Sequence, residues 1–295
     1  MKITKDMLVE WGPCQGGIDW FEENFPSLEE DYQEILNRLA EENRKDYAEW
    51  LLKKAGQLNT EIKVEEIATK NSFFFAGKII VSKGISVGFN LLAGRGIEAG
   101  WSIEAGWGIE AGDGIKAGDG IKAGWSIEAG WSIEAGWSIE AGLGIEAGEG
   151  IEAGWGIKAG DGIKAGDGIK AGDGIKAGEG IKAGLGIEAG EGIEAGLGIK
   201  AGDGIKAGLG IKAGDGIKAG EGIKAGEGIK AGEGIEAGWS IEAGWSIEAG
   251  LGIEAGGDFG VFAGLRVRIA NWSVKACVSA NIKPKNLISG HWKGG

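Results

Sequence analysis

The chain has 295 residues, of which 62 are glycine and only three proline, and a formal net charge of −13. A strict six-residue period with so little proline excludes a collagen triple helix, and an isoleucine in every repeat supplies the buryable stripe that disordered chains lack. The acidic excess lies entirely on the repetitive segment Ala93 to Glu254, which argues against ordinary nucleic-acid binding, where Lys and Arg must neutralise phosphates.

In chain order, residues 1–60 read as a small helical module. Met1 to Trp11 carries Lys2, Lys5, Asp6 and Glu10 and lacks the apolar core of a signal peptide. No apolar run reaches membrane-spanning length, so the expected location is the cytoplasm of the cell that makes the protein. Ile18, Trp20, Phe21 and Phe25 suggest a short helix. Pro26 ends it, and Ser27-Leu28-Glu29-Glu30 reads as a capping box with Ser27 as the cap. Leu28, Tyr32, Ile35, Leu36 and Leu39 then follow at helical spacing. Tyr47, Trp50, Leu51 and Lys54 suggest a further helix stopped at Gly56. Such a unit buries little surface alone, and the open end of a solenoid is its expected seat. Cys14 and Cys277 read as two reduced, buried thiols.

Two strings in this module are distinctive: Trp11-Gly12-Pro13-Cys14 with Gly17-Ile18-Asp19-Trp20-Phe21 and Phe25-Pro26, and Asn43-Arg44-Lys45-Asp46-Tyr47-Ala48-Glu49-Trp50-Leu51-Leu52. Together they resemble a helical module at the start of phage- and prophage-type proteins that continue into Ile-(Glu/Lys)-Ala-Gly repeats. The resemblance implies a genomic setting and, for phage accessory proteins of this kind, action against a host defence protein.

Residues 61–92 already carry the period, with Ile67, Phe73, Ile79, Ile85 and Leu91 six apart. Their larger side chains suit terminal repeats that seal a core. From Ala93 to Glu254 the phrase Ala-Gly-x-(Gly/Ser)-Ile-(Glu/Lys) then repeats twenty-seven times without a slip. Alternation in Ile-(Glu/Lys)-Ala puts Ile and Ala on one face and the charge on the other, a very short strand with an apolar inside. Gly-x-(Gly/Ser) supplies a corner, read as a demand for backbone angles open to glycine. Strand and corner in alternation give a β-solenoid, whose end coils need covering against edge pairing. Opposite-charge matching at coil lengths of 18 or 12 residues leaves the coil length open. The phrase resembles the hexapeptide repeat of left-handed parallel β-helices, with the large and small inward residues exchanged, and the resemblance implies three phrases per coil. Residues 255–295 read as degenerate repeats and a C-terminal cap: Phe259 and Leu265 continue the frame, and Trp272-Ser273-Val274-Lys275-Ala276 repeats the phrase out of register. The expected class is therefore mainly β, a parallel β-solenoid with a small N-terminal α-helical cap.

The hexapeptide family includes acyltransferases that use a histidine as general base. The sole histidine here, His291, lies in the tail, so the resemblance implies fold and not acyl transfer. Gly-x-Gly lacks the helix and Gly-Lys-Ser/Thr of a phosphate loop, and metal-ligand spacing is absent. The expectation is a protein with no catalytic, metal or cofactor residues. Two positions vary: x, and the Glu/Lys choice. Lys often shares a repeat with an acidic x, as in Asp161-Gly162-Ile163-Lys164, and pairing within the repeat is expected to be worth little. Tryptophan takes x at Trp101, Trp107, Trp125, Trp131, Trp137, Trp155, Trp239 and Trp245, where corner rings face solvent or pack on neighbouring corners. With Glu134, Glu140, Glu242 and Glu248 they form the expected partner-binding set, since exposed aromatic area beside carboxylates suits a basic protein patch. The partner is a host protein. A self-associating structural rod, joined through an end cap, and a glycan-binding Trp ladder are the alternatives; neither nucleic acid nor membrane is expected as a partner.

Overall fold

The computed structural model describes residues 1–267 and 269–294. Each phrase of the array contributes one three-residue strand, as at Ile175–Ala177. Its Ile and Ala are buried and its charged middle residue faces out, which is the period-2 expectation for a strand with one apolar face. Strands pair in parallel with those 18 residues away, so that Ile175, Lys176 and Ala177 lie beside Ile193, Glu194 and Ala195. Three phrases therefore make one coil. Three parallel sheets result. Sheet I begins at Glu61–Val64, sheet II at Ile67–Thr69 and sheet III at Phe73–Phe75, with 13, 13 and 11 strands among the described residues. The fold is a parallel β-solenoid of about 13 coils with four helices at its N-terminal side. Isoleucine stacks on isoleucine and alanine on alanine inside; each buried Ile contributes about 2 kcal/mol.

The glycines serve a purpose other than the one expected. Among the described glycines, positive φ occurs at Gly12, Gly56, Gly264, Gly290 and Gly294, all outside the array. Inside it, the second residue of the phrase is glycine because the neighbouring coil leaves no room. A Cβ on Gly178 would stand 1.8 Å from the carbonyl oxygen of Gly160. The fourth residue is looser, a Cβ on Gly180 standing 3.4 Å from the carbonyl oxygen of Gly198. That difference explains why the second position is always Gly and the fourth accepts Ser.

The chain divides into two compact units, Met1–Gly118 with Lys122–Gly130, and Asp119–Ile121 with Trp131–Gly295. In the first, β1 (Lys2–Thr4) pairs antiparallel with β2 (Glu29–Asp31), and four helices follow the order α1 (Lys5–Trp11), α2 (Gln15–Asn24), α3 (Tyr32–Glu41) and α4 (Lys45–Ala55). The expected capping box does not form. Glu29 and Glu30 are drawn into β2, and Asp31 caps α3 by accepting from the Gln33 N–H at 2.9 Å. Leu28 accordingly sits exposed at φ 58, while Tyr32, Ile35, Leu36 and Leu39 are buried. Gly56 stops α4 as expected. Cys14 is exposed because it lies in the turn before α2, whereas Cys277 is buried.

The helical module reaches the coils from the side of sheet III. Phe74 and Leu92 occupy the outward position that Glu or Lys holds in the array. Both are buried in one core with Phe21, Tyr32, Leu36 and Leu52. Phe73 and Phe75, on the inward side of the same strand, are only half-buried. The module also closes an edge. The Gln33 amide donates to the Phe74 carbonyl at 2.8 Å and accepts from the Ala76 N–H at 3.1 Å, taking the place of a missing strand.

In the second unit the frame breaks after Ala255. Val261–Phe262 becomes the next strand of sheet I, with Val261 beside Ile241, while Phe259 and Leu265 are exposed. The segment expected to repeat the phrase out of register instead forms a helical turn, Trp272–Lys275. Cys277–Ser279, Leu287–Ser289 and His291–Trp292 then supply the last strands of sheets I and II.

Candidate binding faces on the solenoid corners

Position x lies on the corners between sheets. In the first unit Trp101 follows a strand of sheet I, and Trp107 and Trp125 follow strands of sheet II. Trp107 stacks on Trp125 at 4.7 Å between centroids with 3° between planes, and Phe89 meets the other side of Trp107 edge-on. Trp107 is therefore half-buried. The other seven rings are exposed, from 44% at Trp245 to 57% at Trp155, although several of them, Trp125 included, also pack on a ring of a neighbouring coil.

In the second unit the rings bracket sheet I. Trp131 and Trp239 stand on the corner before its strands; Trp137, Trp155 and Trp245 stand on the corner after them. Trp137 and Trp155 are stacked at 5.5 Å. Trp239 lies against Phe259 at 5.9 Å, and Lys275 stands 5.8 Å from the Trp245 ring. This arrangement is two brackets, Trp131–Glu134–Trp137 and Trp239–Glu242–Trp245, on one face. Six coils separate them, roughly 29 Å at the usual strand spacing.

A groove of about 700 Å³ runs along that face from Ser132 and Glu134 to Trp239 and Glu242. A second, of about 1060 Å³, runs along sheet II from Glu140 to Glu248 and includes Trp155. Sequence reasoning missed the serines that accompany most corner tryptophans. Ser240 donates to Glu242 at 3.1 Å and Ser132 to Glu134 at 3.4 Å, so the fourth position of the phrase orients the carboxylate of the sixth.

The four glutamates are not equivalent. Glu242 pairs with Lys224 at 2.9 Å and Glu248 with Lys230 at 3.0 Å. The Lys224 ammonium, with a smaller contribution from Ser240, outweighs burial and holds Glu242 below the usual carboxylate range. Lysines pair along the sheets, one coil away, as in Lys170–Glu152, Lys206–Glu188 and Lys212–Glu194. The within-repeat pairing expected from the sequence is replaced by these ladders, because strand middles on adjacent coils stand directly opposite. In sheet III Lys182 and Lys200 lie between other lysines.

Among the described residues no group of three or more His, Cys, Asp or Glu side chains could hold a metal ion, and no helix is long and apolar enough to cross a membrane. His291 is exposed. No curated protein and no solved structure matches the chain. Residues 1–59, the segment folded as the helical module, match the family described as the YdhT N-terminal domain.

Proposed function

We propose that this protein is a non-enzymatic binding scaffold that holds a partner protein along its solenoid faces, the two Trp–Glu–Trp brackets on sheet I gripping separate parts of one partner surface. The observation that carries this reading is the exposure of Trp131, Trp137, Trp239 and Trp245 on a regular backbone. Exposed indoles on a regular backbone give large contact area at low entropic cost, and clustered aromatic area of this kind marks interaction surfaces. The grooves between the brackets carry charges of both signs, which favours a partner with mixed polarity over a purely basic one.

The setting we infer is a phage-encoded accessory factor acting on a host protein in the host cytoplasm, with host defence as the target. Its support is the match of residues 1–59, since that domain is often found in phage-linked proteins. Glycan binding is less favoured, because a sugar-stacking ladder needs one continuous row of rings, and among the described residues the indoles stack on one another as the separate pairs Trp107–Trp125 and Trp137–Trp155.

The test is capture from a host lysate by the intact protein and by a variant carrying Trp131→Ala, Trp137→Ala, Trp239→Ala and Trp245→Ala. Because these rings are exposed, the variant keeps the circular dichroism of the parent and loses the captured protein. Undiminished capture by a folded variant overturns the proposal.

A further inference from the structure

The helical module contains a half-open pocket of about 260 Å³ that the solenoid does not use. Its buried lining is apolar and includes Phe21, Ile35, Leu39 and Trp20, and its more exposed lining includes Tyr47, Trp50, Cys14 and Asp46. Trp20 meets Tyr47 edge-to-face at 6.3 Å, and Trp11 backs Trp50 at 6.5 Å, so the aromatic walls are braced by other rings. The pocket is larger than the cavity of about 150 Å³ that accommodates benzene in an apolar protein core.

A second observation shows that the space is not a by-product of backbone constraint. Helix α2 opens with Gln15-Gly16-Gly17, and glycine weakens a helix. Neither glycine has a positive φ. A Cβ on Gly17 would meet only ordinary contacts, Pro13 Cβ at 3.6 Å and Cys14 Sγ at 3.7 Å. Backbone geometry would accept a side chain there; its absence leaves open the wall of the pocket that Gly17 lines.

We propose that this pocket is a binding site for a planar aromatic amine. The buried lining takes the ring, and the Asp46 carboxylate in the more exposed lining takes the cationic end. The aromatic rings of Trp20 and Trp50 add to that attraction, whereas the Tyr47 ring is already taken by the Arg44 guanidinium, 5.0 Å from its centroid. Residues 1–59 hold thirteen acidic and seven basic side chains, a balance that favours a cation over an anion of the same shape. The site shares no residue with the tryptophan brackets, so its test is independent of the partner-binding reading.

The test titrates tryptamine into the full-length protein by calorimetry, with indole-3-acetate as the anionic counterpart. Saturable tryptamine binding is expected, about tenfold or more tighter than indole-3-acetate. Asp46→Asn removes most of that preference, and Gly17→Leu abolishes binding. Bound tryptamine also slows alkylation of the exposed Cys14 by iodoacetamide, with buried Cys277 as internal reference; this arm needs no substitution and decides the matter even if Gly17→Leu fails to fold. An unchanged Cys14 rate at millimolar tryptamine, or equal affinities for the cationic and anionic ligands, overturns the proposal.

Discussion

At the scale of the residue, the two glycines of the phrase are chemically identical and structurally opposite. The second lies against the preceding coil at a distance no Cβ tolerates, and the fourth has ordinary room toward the next. Gly178→Ala should therefore destabilise the second unit by about 3 kcal/mol or more, since backbone must move to admit the methyl group. Gly180→Ser should change stability by less than about 0.5 kcal/mol. Urea unfolding followed by circular dichroism separates the two, and equal midpoints would refute the assigned roles. The inward Ile and Ala were legible in the sequence because period-2 alternation fixes their side of a strand whatever the coil. The reason for glycine was not legible, because the contact that demands it is with a residue 18 positions away. The same holds for Ser132 and Ser240, whose oxygens act on a carboxylate two residues on once strand geometry puts both on one surface.

At the scale of the element, the seat of the helical module turns on which side of a strand its apolar residues face. Phe73, Phe74 and Phe75 are equally hydrophobic in sequence; the six-residue frame puts Phe74 and Leu92 at the outward position held elsewhere by Glu or Lys, and nothing in the sequence says that this outward face is covered. The periodicity located the strands, while their outward burial had to come from the structure. At the boundary of this docked face Lys45 of α4 reaches Glu110 of sheet III at 3.0 Å and Glu49 at 2.6 Å. Glu128 stands beside Glu110 on the next coil. Burial, with repulsion from Glu49 added and Lys45 opposing, pushes Glu110 up to about 7 from its ordinary 4.5. A carboxyl whose pKa is raised on folding holds its proton in the native state after the unfolded chain has lost it. The stability it contributes is complete below pH 4.5 and is lost as pH rises through about 7. Glu110→Gln, which fixes the neutral form, should match the parent near pH 4.5 and exceed it by a few degrees in melting temperature at pH 8. Parallel melting curves across that range would show that Glu110 does not sense pH through this contact.

At the scale of the whole molecule, information is carried by which face a residue occupies, and the coil of 18 residues sets that face. Charge matching left the coil length open, whereas the hexapeptide resemblance implied three phrases per coil, which the structure has; the grouping of the tryptophans around sheet I is readable only with that coil length fixed. With three phrases per coil, x residues 108 positions apart, such as Trp131 and Trp239, share a corner. Deletions within the second unit test this arrangement. Removing Ile163–Gly180 takes out one coil and leaves every later residue on its own sheet. Removing Ile163–Gly168 takes out one phrase and moves the bracket of Trp239, Glu242 and Trp245 to a neighbouring face. Both deletions keep the buried Ile and Ala columns intact, and the C-terminal strands travel with the coils they pair with, so both proteins should fold with unchanged circular dichroism per residue. If one partner spans both brackets, the one-coil deletion should keep capture with affinity lowered by about tenfold or less, since the brackets only approach each other by one strand spacing. The one-phrase deletion should abolish capture, because no translation along the solenoid restores a shared face. Equal capture by the two proteins would mean that each bracket acts alone, and would remove the two-point grip from the proposed function.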